Sequence, residues 1–226
     1  MTTTSKSKLL LFLLLALILI ELPIAGKYFA VANTLIHEVG HQLSSIVTFG
    51  KAHNIQLFAN TEGVAYSSHR FWIGQFITSL AGYIFASFMA CTFMILVYKG
   101  KHNMISILLL VILGLSLIFW VRNLYGFFWI ITFSIGFVWL LLKAKARVKE
   151  NVILFLVSII FNESITSAFE IMYMSFQTPL HAGDAANLGE ITYFIPTQFW
   201  GLLFFAQSLL FGWIAMRRFF PFLKLR

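Results

Sequence analysis

The sequence predicts an all-α polytopic membrane protein with about six or seven transmembrane helices and a short β-hairpin after the second helix. Three observations carry this reading. The chain is 60% hydrophobic and 11% charged, against roughly 25% charged in an ordinary soluble domain. Its apolar runs recur at about the 20-residue length that spans a hydrocarbon core. One long polar stretch, residues 51–70, interrupts them early and places turn formers between two short strand-like runs. At 226 residues the chain is read as a single membrane-embedded domain, 1–226, with short loops and no separate soluble module.

The net charge of +8 is spread over segment ends. It forms no basic stripe interleaved with stacking aromatics, which excludes nucleic acid as a partner. Lysines and arginines at segment ends suit the anionic headgroups of a lipid bilayer. Cys91 is the only cysteine, so an intrachain disulfide and a CxxC metal site are both excluded.

Residues 8–25 read as an uncleaved first span. Lys6 and Lys8 before an apolar run imitate a signal peptide, but the small-residue string Ala30-Val31-Ala32 lies about a dozen residues beyond that run, too far for cleavage. Residues 28–49 form a second span of roughly 33 Å at 1.5 Å per residue. Gly40 within it reads as a point of close helix packing. Runs at 54–58 and 64–67 flank Asn60-Thr61-Glu62-Gly63 and predict the hairpin. Its exposed edge offers main-chain pairing to an extended peptide, and His53 and His69 read as solvated loop residues. Residues 71–98, 104–120 and 124–142 are three further spans with aromatics toward their ends.

A basic loop at 143–150 leads to a span over 151–176. This span turns polar at Asn162, Glu163, Ser164, Thr166 and Ser167, with Glu170 a turn further on. Polar groups at such depth seldom face lipid. Hydrogen bonding between helices and the lining of a water route both account for them. The last span covers 191–216, and Arg217, Arg218, Lys224 and Arg226 give a basic end. Counting seven spans puts 11 lysines and arginines on the side of the C-terminus and 5 on the side of the N-terminus and hairpin. That tally places the N-terminus outside, whereas a short basic N-terminus belongs inside. The two cues conflict, so the sequence leaves the orientation open.

The chemistry concentrates in HEVGH, residues 37–41, near the middle of the second span. On a helix His37 and His41 project from one face a turn apart, with Glu38 beside the first. Two neutral imidazoles supply two of the three protein ligands a catalytic zinc takes, and the adjacent carboxylate can accept a proton from the attacking water. H-E-x-x-H arises by chance in roughly one such chain in two hundred. A third ligand must come from elsewhere in the chain.

HEVGH, followed by the hairpin, the string SLAGYIF at 79–85 and GDAANLGEITYFIPTQFW at 183–200, resembles the site-2 protease family of intramembrane zinc metalloproteases, in particular its small bacterial B-like branch. The resemblance implies a multi-pass protein of the bacterial cell membrane that hydrolyses peptide bonds in or near transmembrane segments of substrate proteins. It implies zinc held by His37 and His41, Glu38 as the catalytic carboxylate, and Asp184, the only aspartate in the chain, as third ligand. No DG pair follows the family pattern here, so Glu170 and His181 stand as alternative third ligands, and Asn162 as a residue orienting substrate or ligand. A metal-ion or proton transporter built on the same intramembrane groups is the alternative function. A zinc-binding membrane protein without proteolytic activity is another.

Overall fold

Apolar segments separated by short polar breaks can bury their backbone polar groups only as helices, and the computed structural model, which describes residues 6–220, is built of them. In chain order it runs α1 (Lys6–Ile20), α2 (Ala25–Val47), β1 (Lys51–Leu57), β2 (Gly63–Ser68), α3 (Trp72–Tyr98), α4 (His102–Leu115), α5 (Leu124–Lys143), α6 (Ala146–Gln177), α7 (Gly183–Thr192) and α8 (Thr197–Phe219). The antiparallel hairpin follows the second helix, as expected. Lys224 and Arg226 of the expected basic end lie outside the described residues.

Among the described residues, five helices are long and apolar enough to cross a membrane: α3, α4 with the five-residue π turn Ser116–Trp120 that continues it, α5, α6 and α8. The first two helices differ from expectation. α1 and α2 qualify only as a pair, bent by 105° across residues 21–24. At 15 residues α1 falls short of the roughly 20 a crossing needs, and Pro23 breaks the chain at the bend because it supplies no amide and disfavours helix in the residue before it. The first two predicted spans therefore form a bent pair, the geometry of a broken span or of a re-entrant loop. The last span is shorter than predicted, because Tyr193 turns out of α7 at φ 55° and Pro196 precedes the first residue of α8. The basic stretch at 143–150 is mostly helix, since α6 begins at Ala146.

α2 packs closely on α3. A Cβ at Gly40 would lie 2.7 Å from Phe85 Cβ and 3.0 Å from the Ala81 carbonyl oxygen, which accounts for a residue without a side chain at that contact. The fully buried Trp129 of α5 donates its indole N–H to the Tyr28 carbonyl at 2.7 Å. Tyr28 also shares a hydrogen bond with Thr132 at 2.9 Å, so the first turn of α2 is anchored on α5.

Two side chains of α2 hold the hairpin. Thr34 Oγ1 donates to the Thr61 carbonyl at 2.8 Å; Gln42 Nε2 donates to the carbonyls of Asn54 and Tyr66 at 2.9 and 3.2 Å. The far edge of β1 is occupied as well. Ile55 bridges Val121, and the Asn123 amide accepts from the Leu57 N–H at 3.1 Å and donates to the Leu57 carbonyl at 2.6 Å. Among the described residues no strand pairs with the outer edge of β2, which Thr34 and Glu38 of α2 approach at the Thr61 carbonyl and the Ala65 amide.

Candidate metal centre

α2 presents two adjacent rows of side chains, each at spacing four, and the two rows have different neighbours. The row 34, 38, 42 lies under the hairpin: Thr34 and Gln42 hydrogen-bond to it, and between them Glu38 is buried beneath Gly63. A Cβ on Gly63 would stand 2.6 Å from Glu38 Oε1. The Ala65 backbone amide also points at this carboxyl. The row 37, 41 faces α3 and α7.

There the two imidazoles meet Asp184, which sits in the first turn of α7. His37 Nε2 and His41 Nε2 each lie 3.1 Å from Asp184 Oδ2 and 3.0 Å from one another. Three ligands on a tetrahedral metal at about 2.0–2.1 Å are about 3.3 Å apart, so this near-equilateral triangle has the dimensions of one face of such a site. The cluster can hold a metal ion. Burial acts to raise the Asp184 carboxyl, but the His41 and His37 imidazoles hold it below the ordinary carboxylate range. It is therefore available as an anionic ligand.

Supports around the triangle fit a metal rather than a bare hydrogen-bonded cluster. His41 Nδ1–H donates to the Thr78 carbonyl at 2.6 Å. In the neutral ring this leaves the lone pair on Nε2, the atom turned to Asp184 and His37, as an outer-shell carbonyl does for a ligating histidine. His37 is held edge-on against Tyr83, with ring centroids 4.5 Å apart, and Tyr83 is itself backed by Phe204 at 4.7 Å. Gly82 completes the cradle. A Cβ there would collide with the Nε2 atoms of both histidines, so the lone-pair face of the pair is open only because residue 82 has no side chain.

The centre opens into a cavity of about 750 Å³. Glu38, Glu62, Glu163, Glu170 and Asp184 line it, and among the described residues no lysine or arginine does. Five of the eight acidic residues of a chain of net charge +8 are thus gathered around one cavity. His181 and Glu170 reach the cavity but lie outside the ligand triangle. The polar stretch of α6 divides by helical phase: Glu163, Ser167 and Glu170 face the cavity, whereas Asn162 Nδ2 donates to the Leu13 carbonyl at 2.9 Å and ties α6 to α1. Asn162 is thus not among the residues brought to the centre. Glu190 lies exposed on α7.

His53 is exposed as expected and hydrogen-bonds Ser68 at 2.9 Å. His69 departs from expectation: it is half-buried, lines the cavity and hydrogen-bonds Ser67 at 3.0 Å. Burial lowers its pKa, which favours the neutral ring. Sequence reasoning also missed Thr78, Gly82, Tyr83, Gly63 and Ala65 as supports. The string SLAGYIF singled out the region of the first three without assigning a role.

A bundle of apolar helices of membrane-spanning length brings together a His/His/Asp cluster that could hold a metal ion, and the comparison with known families specifies its class. The chain matches the family described as Peptidase M50B-like over residues 10–215, and it belongs to that family, a branch of the site-2 proteases. It is an integral membrane protein of a family of intramembrane metallopeptidases. No curated protein and no solved structure matches it.

Proposed function

We propose that the chain is a zinc metalloendopeptidase of the bacterial cell membrane that hydrolyses peptide bonds in or beside the transmembrane segments of substrate proteins. The observation that carries this reading is the juxtaposition of three ligand atoms within 3.1 Å of one another with a buried carboxylate on the next residue of the same helix. His37, His41 and Asp184 would hold the zinc. When bound, the ion supplies Lewis acidity, lowering the pKa of water and polarising a carbonyl.

Glu38 is the proton carrier. It follows His37 directly and lies in the same cavity, placed to take a proton from the attacking water and return it to the leaving amine. Glu163, Ser167 and Glu170 give water a polar wall on α6. A helical amide is hydrogen-bonded and shielded, so a substrate helix must unwind locally before its bond is attacked. The outer edge of β2, which no described strand occupies, suits the unwound segment as an added strand beside Glu38, and β1 does not compete because Val121 and Asn123 occupy its other edge.

Metal stoichiometry tests the ligand set. Purified Asp184→Ala is expected to lose most of its zinc, as is His37→Ala, while Glu170→Ala and His181→Ala retain it at the wild-type ratio. Full zinc in Asp184→Ala together with loss in Glu170→Ala would transfer the third-ligand role to Glu170.

A further inference from the structure

The fold assigns an orientation that the sequence leaves open. We infer that the basic helix ends face the cytoplasm and that the hairpin and the cavity mouth face the opposite side, so polypeptide segments reach the centre from the extracytoplasmic face.

Contacts sort the helix ends into two groups. His102 at the start of α4 lies within electrostatic reach of Glu150 near the start of α6 and Lys8 near the start of α1. Tyr98 at the end of α3 packs on Phe219 at the end of α8, with ring centroids 5.2 Å apart. Residues 144–145 join the end of α5 to the start of α6. These termini share one end of the bundle.

The hairpin defines the other end. It bonds to Val121 and Asn123, between α4 and α5. Trp72 at the start of α3 donates to the Ile191 carbonyl at the end of α7, at 3.0 Å.

Each of α3, α4, α5, α6 and α8 joins the two ends. The bent α1–α2 pair joins them once more. α1 starts at the first end and runs beside α6, with Phe12 5.9 Å from Phe155, and α2 leads into the hairpin. Six crossings put the start of α1 and the end of α8 on one side.

Charge then decides which side. The first end carries Lys6, Lys8, Lys99, Lys101, Lys143, Lys145, Arg147, Lys149, Arg217 and Arg218; the hairpin end carries Lys51, Arg70 and Arg122, and Lys27 lies just beyond the bend. Ten against three, in short loops and at span ends, is the pattern of a cytoplasmic face. The conflict in the seven-span tally disappears, because treating α1 and α2 as separate crossings had set Lys6 and Lys8 against the other basic ends.

The cavity is lined from α2, the hairpin, the first half of α3, the second half of α6 and the segment 181–187, and by no described residue of α1, α4, α5 or α8. It therefore belongs to the hairpin end. The consequence for substrate rests on the hydrolase reading above: the peptide bonds within reach lie where a substrate span emerges on the extracytoplasmic face. The orientation does not depend on that reading.

Cysteine labelling tests it in the full chain. Cys91 is the only cysteine and is buried, so a Cys91→Ala background can carry either Asn60→Cys in the hairpin turn or Ala146→Cys at the start of α6, both exposed. With a membrane-impermeant maleimide on intact cells, Asn60→Cys is expected to label at least tenfold more than Ala146→Cys, with the difference lost on lysis. The reverse order overturns the orientation, and equal labelling of intact cells overturns the crossing count. Reporters fused after the last residue give a second readout that needs no folded hairpin. Green fluorescence is expected there, and alkaline phosphatase activity would overturn the inference. Failure of the hydrolase reading shows separately, as equal cleavage by wild type and Glu38→Gln whatever the labelling pattern.

Discussion

Glu38→Gln is expected to lower peptide hydrolysis by about 10²–10⁴-fold, the usual contribution of a positioned acid–base group, while zinc stays at the wild-type ratio. Glutamine keeps the shape of the side chain beneath Gly63 and an acceptor toward the Ala65 amide, so the contact between α2 and the hairpin survives. His37, His41 and Asp184 are untouched. What is lost is the capacity to take up and release a proton. Cleavage of a panel of single-span reporter proteins, measured beside metal content by mass spectrometry, separates the two effects. Undiminished cleavage by Glu38→Gln would remove Glu38 from the mechanism. Metal flux across proteoliposomes that is unchanged in Glu38→Gln, with no cleavage by wild type, would favour a transporter.

Gly82→Ala is expected to damage the centre without altering any ligand. The added methyl collides with the Nε2 atoms of both histidines, and neither ring is free to retreat. The Thr78 carbonyl holds His41, and Tyr83, packed on Phe204, stands beside His37. Overpacking of this kind costs about 1–3 kcal/mol, or about 5- to 150-fold in zinc affinity if it falls on the bound state. Competition with a chelator of known affinity reads the loss. Gly114→Ala is the matched control, because a Cβ at that position meets nothing within 4 Å. Equal zinc affinity in wild type and Gly82→Ala would show that the cradle has room to spare.

The sequence by itself determined what depends on composition and on spacing within one helix. Apolar runs of spanning length specify a helical membrane protein, turn residues at 60–63 specify the hairpin, and the four-residue spacing of His37 and His41 puts two imidazoles on one face because a helix repeats at 3.6 residues. Glu38 as neighbour of the first histidine was legible for the same reason. Asp184 was accessible only through family resemblance, since no local rule relates residues 37 and 184. The tertiary structure alone decided which polar residues of α6 face the cavity, because helical phase becomes meaningful only once the neighbours are placed: Glu163 turns to the centre and Asn162 to the Leu13 carbonyl. It also decided that residue 82 must lack a side chain, a requirement set by atoms of another helix. The bend at residues 21–24 had the widest effect. Hydropathy counts apolar length and carries no direction, so two apolar stretches read as two crossings, whereas the structure bends them by 105° into a pair that is apolar and long enough only when taken together.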